Sequence, residues 1–166
     1  MTEAWLNFTI VVFLQLIFFI VHAYYEKKLA EIPRILVWSI PVGIVAGILF
    51  DLIVGKFLGF HFYALGFGAI SLILNGVFLY SFFAANILLM QRARLIHFCV
   101  GAIVIAMFYE IPHYFFRVWT WELPLSPCIE FLTVLLVGYV GGAILMAACW
   151  HILGRRFLFI DNLFKK

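Results

Sequence analysis

Residues 108–122 read FYEIPHYFFRVWTWE and place a carboxylate, a proline and an imidazole within four residues at the end of a long apolar run. Glu110 and His113 are three positions apart, a helical spacing at which two side chains project together. Such a pair can share a proton or a hydrogen bond, or supply two ligands to a metal. Pro112 between them weakens regular helix geometry and is expected to end or kink the helix there. A di-metal carboxylate centre would require a second E-x-x-H, which the sequence lacks. The acid–imidazole reading is therefore preferred, and no metal or other cofactor is expected.

A second carboxylate lies at the end of a pattern. Ser39, Gly43, Gly47, Asp51 and Gly55 recur every fourth residue, and Ala102, Ala106 and Glu110 repeat that spacing. Steps of four keep residues on nearly one helix face. Small residues on such a face let a neighbouring helix backbone approach closely, which is how membrane helices pack. A carboxylate at depth in a membrane costs several kcal/mol when charged, so it faces the bundle interior and marks a site. Low dielectric also favours the neutral form of a carboxyl group. Asp51 and Glu110 are expected to face inward and share one polar pocket, with Glu110 as acid, Asp51 as its partner and His113 as tuner. His61, Tyr63, Asn75 and Trp119 are the residues expected to line it and bind substrate.

The elements that must position these groups follow from composition. Of 166 residues, 67% are hydrophobic and only 11% charged. A soluble domain of this length needs far more charge to cover its surface. Apolar runs of about 20 residues recur, each long enough to cross a hydrocarbon core of ~30 Å. The expected fold is all-α: a polytopic transmembrane bundle of five spans forming a single domain over residues 1–166. The helices are placed at about 4–23, 35–55, 64–90, 96–116 and 129–153. The first is read as a retained span because its positive charges follow the apolar run. At ~1.5 Å per residue, Asp51 and Glu110 then lie at similar depths, roughly 21–24 Å from the starts of their helices.

Charge fixes an expected orientation. Lys27, Lys28, Arg34, Arg92, Arg94, Arg155, Arg156, Lys165 and Lys166 fall in alternate connections and the tail, whereas only Lys56 and Arg117 fall on the other side. The positive-inside rule then gives an outside amino terminus and an inside carboxyl terminus, in the cytoplasmic or plasma membrane. Trp119 and Trp121 are expected to anchor at the headgroups. The tail RRFLFIDNLFKK has basic ends and an apolar centre, and either lies flat on the inner leaflet or frays.

Other classes are poorly supported. The net charge of +3 is spread over short loops and is no nucleic-acid signal. Cys99, Cys128 and Cys149 form no C-x-x-C, so neither a disulfide framework nor a zinc site is expected. His22, His97 and His151 near the inner helix ends are read as interfacial hydrogen-bonders in preference to haem ligands. There is no G-x-S-x-G, H-E-x-x-H, P-loop or D-D-x-x-D.

The stretch VWSIPVGIVAGILFDLIVGKFLGFHFYALGFG resembles the membrane lycopene cyclase domain family of carotenoid biosynthesis. In that family a helix with a proline and a late Trp-Asp leads to a Gly-aromatic turn, a short polar-aromatic segment and a glycine opening the next helix. Pro41, Asp51, Gly59-Phe60, Tyr63 and Gly66 stand in that order, and the resemblance covers roughly residues 5–90. It implies a cyclase or isomerase acting on an apolar isoprenoid by acid catalysis. The family continues with Pro-x-Glu-Glu, the source of the initiating proton. Here the region is AISLILNGVFLYSFF, with Asn75-Gly76 and no acid, so Glu110 is the candidate substitute. The alternative is a non-enzymatic membrane protein, a transporter subunit or assembly partner, working as a homo-oligomer or beside another membrane subunit and using its small-residue stripes to pack. Five spans without an inverted repeat argue against a complete monomeric transporter.

Overall fold

The computed structural model describes residues 3–163, so Lys165 and Lys166 of the charge count lie outside the described residues. Five helices are long and apolar enough to cross a membrane: α1 (Glu3–Tyr25), α2 (Leu29–Phe57), α3 (Ala69–Leu89), α4 (Leu95–Phe116) and α5 (Pro127–Ile152). A sixth, short helix, α6 (Leu158–Leu163), follows. The α2 start lies earlier than residue 35 because a 3-10 turn, Leu29–Glu31, leads straight into a helix whose first turn carries Pro33. Proline there removes only an N–H that has no intrahelical partner anyway.

The central element is α3, whose residues 81–89 are all buried. Its neighbours α1, α2, α4 and α5 surround it. On α2 the buried positions are Ile35, Ser39, Gly43, Gly47, Asp51 and Gly55, so the every-fourth-residue stripe is the face turned to α3. The two backbones touch: a Cβ on Gly76 of α3 would lie 2.7 Å from the Cα of Ile44. Lipid offers no hydrophobic drive for this contact, so dispersion between close backbones must supply it. A polar tie holds α1 to the same helix, where His22 Nδ1 meets Asn86 Oδ1 at 2.7 Å and Asn86 donates to the Phe82 carbonyl.

Three spans widen into π-helical turns, over Asp51–Phe57, Asn75–Tyr80 and Val134–Gly141. Such turns insert an extra residue and re-aim side chains, and they recur at functional sites. Two strands not expected from the sequence, β1 (His61–Tyr63) and β2 (Trp119–Trp121), pair antiparallel with His61 opposite Trp121 and Tyr63 opposite Trp119. The ribbon joins the α2–α3 and α4–α5 connections. Gly59 and Gly66, both at φ +70°, turn the chain on either side of β1, so the third span begins at Ala69 and not near residue 64.

Other expectations change with this geometry. Side chains alternate across a strand, so His61, Tyr63 and Trp119 turn into the bundle and are buried while Phe62 faces out. Trp119 is therefore a packed ribbon residue and not a headgroup anchor. Pro112 neither ends α4 nor marks its boundary; the helix continues to Phe116 and stops where Arg117 adopts φ +48°. Within the described part of the tail, Phe157, Phe159 and Ile160 are buried against the bundle, with the Phe159 and Phe98 rings 4.5 Å apart, so this part is not frayed.

The α2–α3 seam makes a clear test. Gly76→Ala forces two backbones apart and is expected to cost about 1–3 kcal/mol. Gly138→Ala, where a Cβ would meet nothing within 4 Å, is expected to be neutral or slightly stabilising. Thermal unfolding of the two variants in one detergent compares them directly.

Candidate functional site

Asp51 opens the wide turn of α2 and is fully buried. Its Oδ1 accepts from the Tyr80 hydroxyl at 2.6 Å and the Tyr63 hydroxyl at 2.8 Å, and the two hydroxyls are 3.0 Å apart. Tyr63 comes from β1 and Tyr80 from the end of the wide turn in α3. Gly47 makes room for the latter, since a Cβ there would come within 2.5 Å of the Tyr80 ring. Hydrogen bonds to a charged acceptor are about twice as strong as neutral ones, so two phenols on one oxygen form a firm clamp. Burial and the facing Asp51 carboxylate push the Tyr63 phenol well above its ordinary pKa, so it stays a donor. Asp51 Oδ2 has no partner, and neither amide atom of the buried Asn75 makes a hydrogen bond. Unpartnered buried polar atoms of this kind mark room for an ordered water or a polar ligand group.

Glu110 on α4 has a separate set of partners. Its Oε1 accepts from the Tyr139 hydroxyl at 2.6 Å and from Trp121 Nε1 at 3.3 Å. Tyr139 is delivered by the wide turn of α5 and Trp121 by β2. Glu110 and His113 do not hydrogen-bond to each other. Positions i and i+3 are about 60° apart around a helix, and here that difference sends Glu110 toward α5 and the ribbon. His113 Nε2 instead lies 3.1 Å from the Gln15 side-chain amide on α1, and its ring stacks on Trp119.

His61 stands between the two carboxylate clusters. Its ring stacks on Trp121 at 4.3 Å between centroids and meets Tyr63 edge-on at 4.6 Å. Each of those neighbours donates to a different carboxylate. Burial pushes the His61 imidazole down to about 3, so it is neutral near pH 7, and neither ring nitrogen has a partner. Asp51 and Glu110 thus border one aromatic group without a hydrogen bond joining them.

The clusters flank a cavity of about 700 Å³. Its walls are apolar: Pro41, Ala46 and Phe50 of α2, Leu79 and Phe83 of α3, and Gly142 and Met146 of α5. Its polar groups are His61, Tyr80, Tyr109, Trp119, Trp121 and Tyr139. Of the residues expected to bind substrate, His61 and Trp119 line it, whereas Tyr63 and Asn75 stand behind its wall with both carboxylates and His113. The phenols of Tyr80 and Tyr139 are the surfaces through which the carboxylates reach the cavity. Sequence reasoning missed both, together with Trp121 and Gln15. A tyrosine inside an apolar span does carry a usable signal, because its hydroxyl needs a partner.

No three His, Cys, Asp or Glu side chains come together as a ligand set among the described residues. The inner histidines are dispersed: His22 bonds Asn86, His97 is exposed, and His151 lies 3.9 Å from Asp161. The chain matches no protein-family model, no curated protein and no solved structure.

The Asp51 clamp predicts non-additive losses. Tyr80→Phe or Tyr63→Phe alone removes one donor from a buried carboxylate and is expected to cost about 1–3 kcal/mol. The double variant is expected to lose more than the sum, since each single variant leaves the other phenol in place. A double-mutant cycle by thermal or detergent denaturation reads the coupling.

Proposed function

We propose that the protein binds an apolar lipid in the cavity between α2, α3 and α5 and acts on it by acid catalysis. The observation that carries this reading is the wall itself: an apolar cavity bordered by two phenols, each hydrogen-bonded to a buried carboxyl group. Glu110 is the acid, Asp51 its partner across the aromatic group, and the ribbon residues orient the substrate. His113 acts on Glu110 only at second hand, by holding Trp119 against the cavity.

The chemistry balances without a redox partner. With Glu110 protonated and the hydrogen bond reversed, so that the carboxyl O–H donates to Tyr139, the Tyr139 hydroxyl gives its proton to one carbon of a substrate double bond and receives the Glu110 proton in the same motion. The π electrons form the new C–H bond and leave a carbocation on the neighbouring carbon. A second double bond attacks that cation and closes a ring. Loss of a neighbouring proton back to the carboxylate–phenol pair restores a double bond, so substrate and product are isomers. Aromatic faces of Trp119, Trp121 and Phe50 stabilise the cation, in the manner of cation–π contacts. A water-poor cavity prevents its capture by water.

The resemblance to the lycopene cyclase domain family supports an isoprenoid or carotenoid-like substrate. The charge asymmetry supports an outside amino terminus, an inside carboxyl terminus and residence in the cytoplasmic or plasma membrane, with the cavity in its outer half.

A second reading is favoured by one observation: neither carboxylate lines the cavity. Asp51 and Glu110 then serve as cross-links between spans in a non-enzymatic membrane protein, one that works as an oligomer or beside a partner subunit. Expression in a host that accumulates a linear polyene separates the two. Glu110→Gln and Tyr139→Phe are each expected to lower cyclised product in apolar extracts by about 10²-fold or more, the usual contribution of a positioned proton donor, while the protein still accumulates. Unchanged product, or loss of the protein itself, supports the packing role.

A further inference from the structure

The basic side of the bundle holds a second cleft, about 25 Å along α2 from Asp51, taking ~1.5 Å per residue. Its volume is about 170 Å³, and its polar lining is Lys28, Glu31, Arg34, Gln91 and Arg155, with Trp38 at its side. These residues come from four places: the α1–α2 connection, the start of α2, the α3–α4 connection and the segment after α5. The fold gathers them although they are far apart in sequence.

Three cations here face one carboxylate, Glu31. Lys28 Nζ donates to the Leu89 carbonyl at 2.6 Å, which satisfies an end carbonyl of α3. The Arg155 guanidinium lies over the Trp38 ring at 4.2 Å. Arg34 and Arg155 make no ion pair among the described residues, where the sole pair is His151 with Asp161. Burial and nearby Arg92 hold the Lys28 ammonium below its usual pKa, against the pull of Glu26 and Glu31. The α-helical part of α2 begins beside the cleft at Ile32, and Glu31 just before it makes no side-chain cap, so the positive end of the helix adds to the field. Excess positive charge in a partly buried cleft costs free energy until an anion enters.

Size and place define that anion. At about 30 Å³ per water, the cleft holds the volume of five or six waters, room for one phosphoryl group with a little hydration. Trp38 is half-exposed beside the outward-facing Val37, so the cleft opens at the rim where α2 meets lipid. A planar guanidinium pairs with phosphate oxygens through two parallel hydrogen bonds. We infer that this cleft binds a phosphoryl group, presented by the headgroup of an anionic lipid or as the free ion, between Lys28, Arg34 and Arg155.

The test uses the purified full chain in neutral detergent, with its unfolding temperature read against added phosphatidic acid, phosphatidylcholine or inorganic phosphate. Binding to the folded state raises that temperature in proportion to ligand occupancy. Phosphatidic acid is expected to raise it by several degrees and phosphatidylcholine far less. Arg34→Gln with Arg155→Gln is expected to abolish most of the shift. Arg94→Gln with Arg156→Gln removes the same charge outside the cleft and is expected to keep it. An equal shift with inorganic phosphate supports the site with the free ion sufficient; a shift with the lipid alone assigns the headgroup. A shift that survives in the Arg34/Arg155 variant, that falls equally in both variants, or that is absent from the unsubstituted protein overturns the inference. If the Arg34/Arg155 variant fails to accumulate, Arg34→Gln alone is read in the same way, since no hydrogen bond or ion pair within the described residues depends on that side chain.

Discussion

The structure turns on a carboxylate buried in an apolar bundle without a cation to pair with it. Asp51 and Glu110 both sit inside spans, and neither meets a lysine or arginine among the described residues. Desolvating a carboxyl group without compensation costs several kcal/mol, and a bilayer offers no water to soften that. The compensation here comes from neutral donors, two phenols on Asp51 and a phenol with an indole on Glu110. Much of the local architecture delivers those donors. The wide turns of α3 and α5 end in or contain Tyr80 and Tyr139, and the ribbon carries Tyr63 and Trp121. Gly47 leaves the space that the Tyr80 ring fills.

The same arrangement explains where the bundle is tight and where it is open. Between α2 and α3 the glycine face removes every obstacle to contact, and the backbones meet. Between α2 and α5 the helices stand apart, and small residues leave space unfilled: nothing lies within 4 Å of where a Cβ on Gly138 or Gly142 would be. The cavity occupies that gap. Its wall is hydrocarbon apart from aromatic hydroxyls, ring nitrogens and the Cys149 thiol, a lining that suits the apolar lipid proposed above. The polar network beside it is reduced to carboxyl, phenol and indole, because little else can be buried in lipid at low cost.

The sequence was legible where a pattern has a period. Five spans follow from apolar runs of membrane length, and the face of α2 follows from Ser39, Gly43, Gly47, Asp51 and Gly55 at steps of four. The inward placement of Asp51 and Glu110 follows from the cost of a carboxylate in lipid. The partners of these acids had no such period. Tyr80 lies 29 residues from Asp51, and Tyr139 lies 29 from Glu110; these pairings are set by tertiary packing. The ribbon was hidden because three-residue strands are too short to show alternation, although WTW and HFY do place their outer residues on one side. The E-x-x-H pair misled for a geometric reason: three steps along a helix bring two side chains near one another but do not aim them at the same neighbour. Pro112 misled as to the helix end, since neighbouring spans carry α4 on through it to Phe116.

Carboxyl–phenol pairs and an apolar cavity occupy one end, and three cations gathered from three chain segments occupy the other. The central claim is that the cavity holds an apolar lipid against Tyr80 and Tyr139. Its most direct test is the lipid content of the purified protein, measured by mass spectrometry of an organic extract, compared with a Gly142→Phe variant, which adds bulk to the cavity wall at a position where a Cβ meets nothing within 4 Å. A distinct apolar lipid, near one per chain and largely lost in the variant, is the expected result; no such lipid, or equal retention by both proteins, would contradict it.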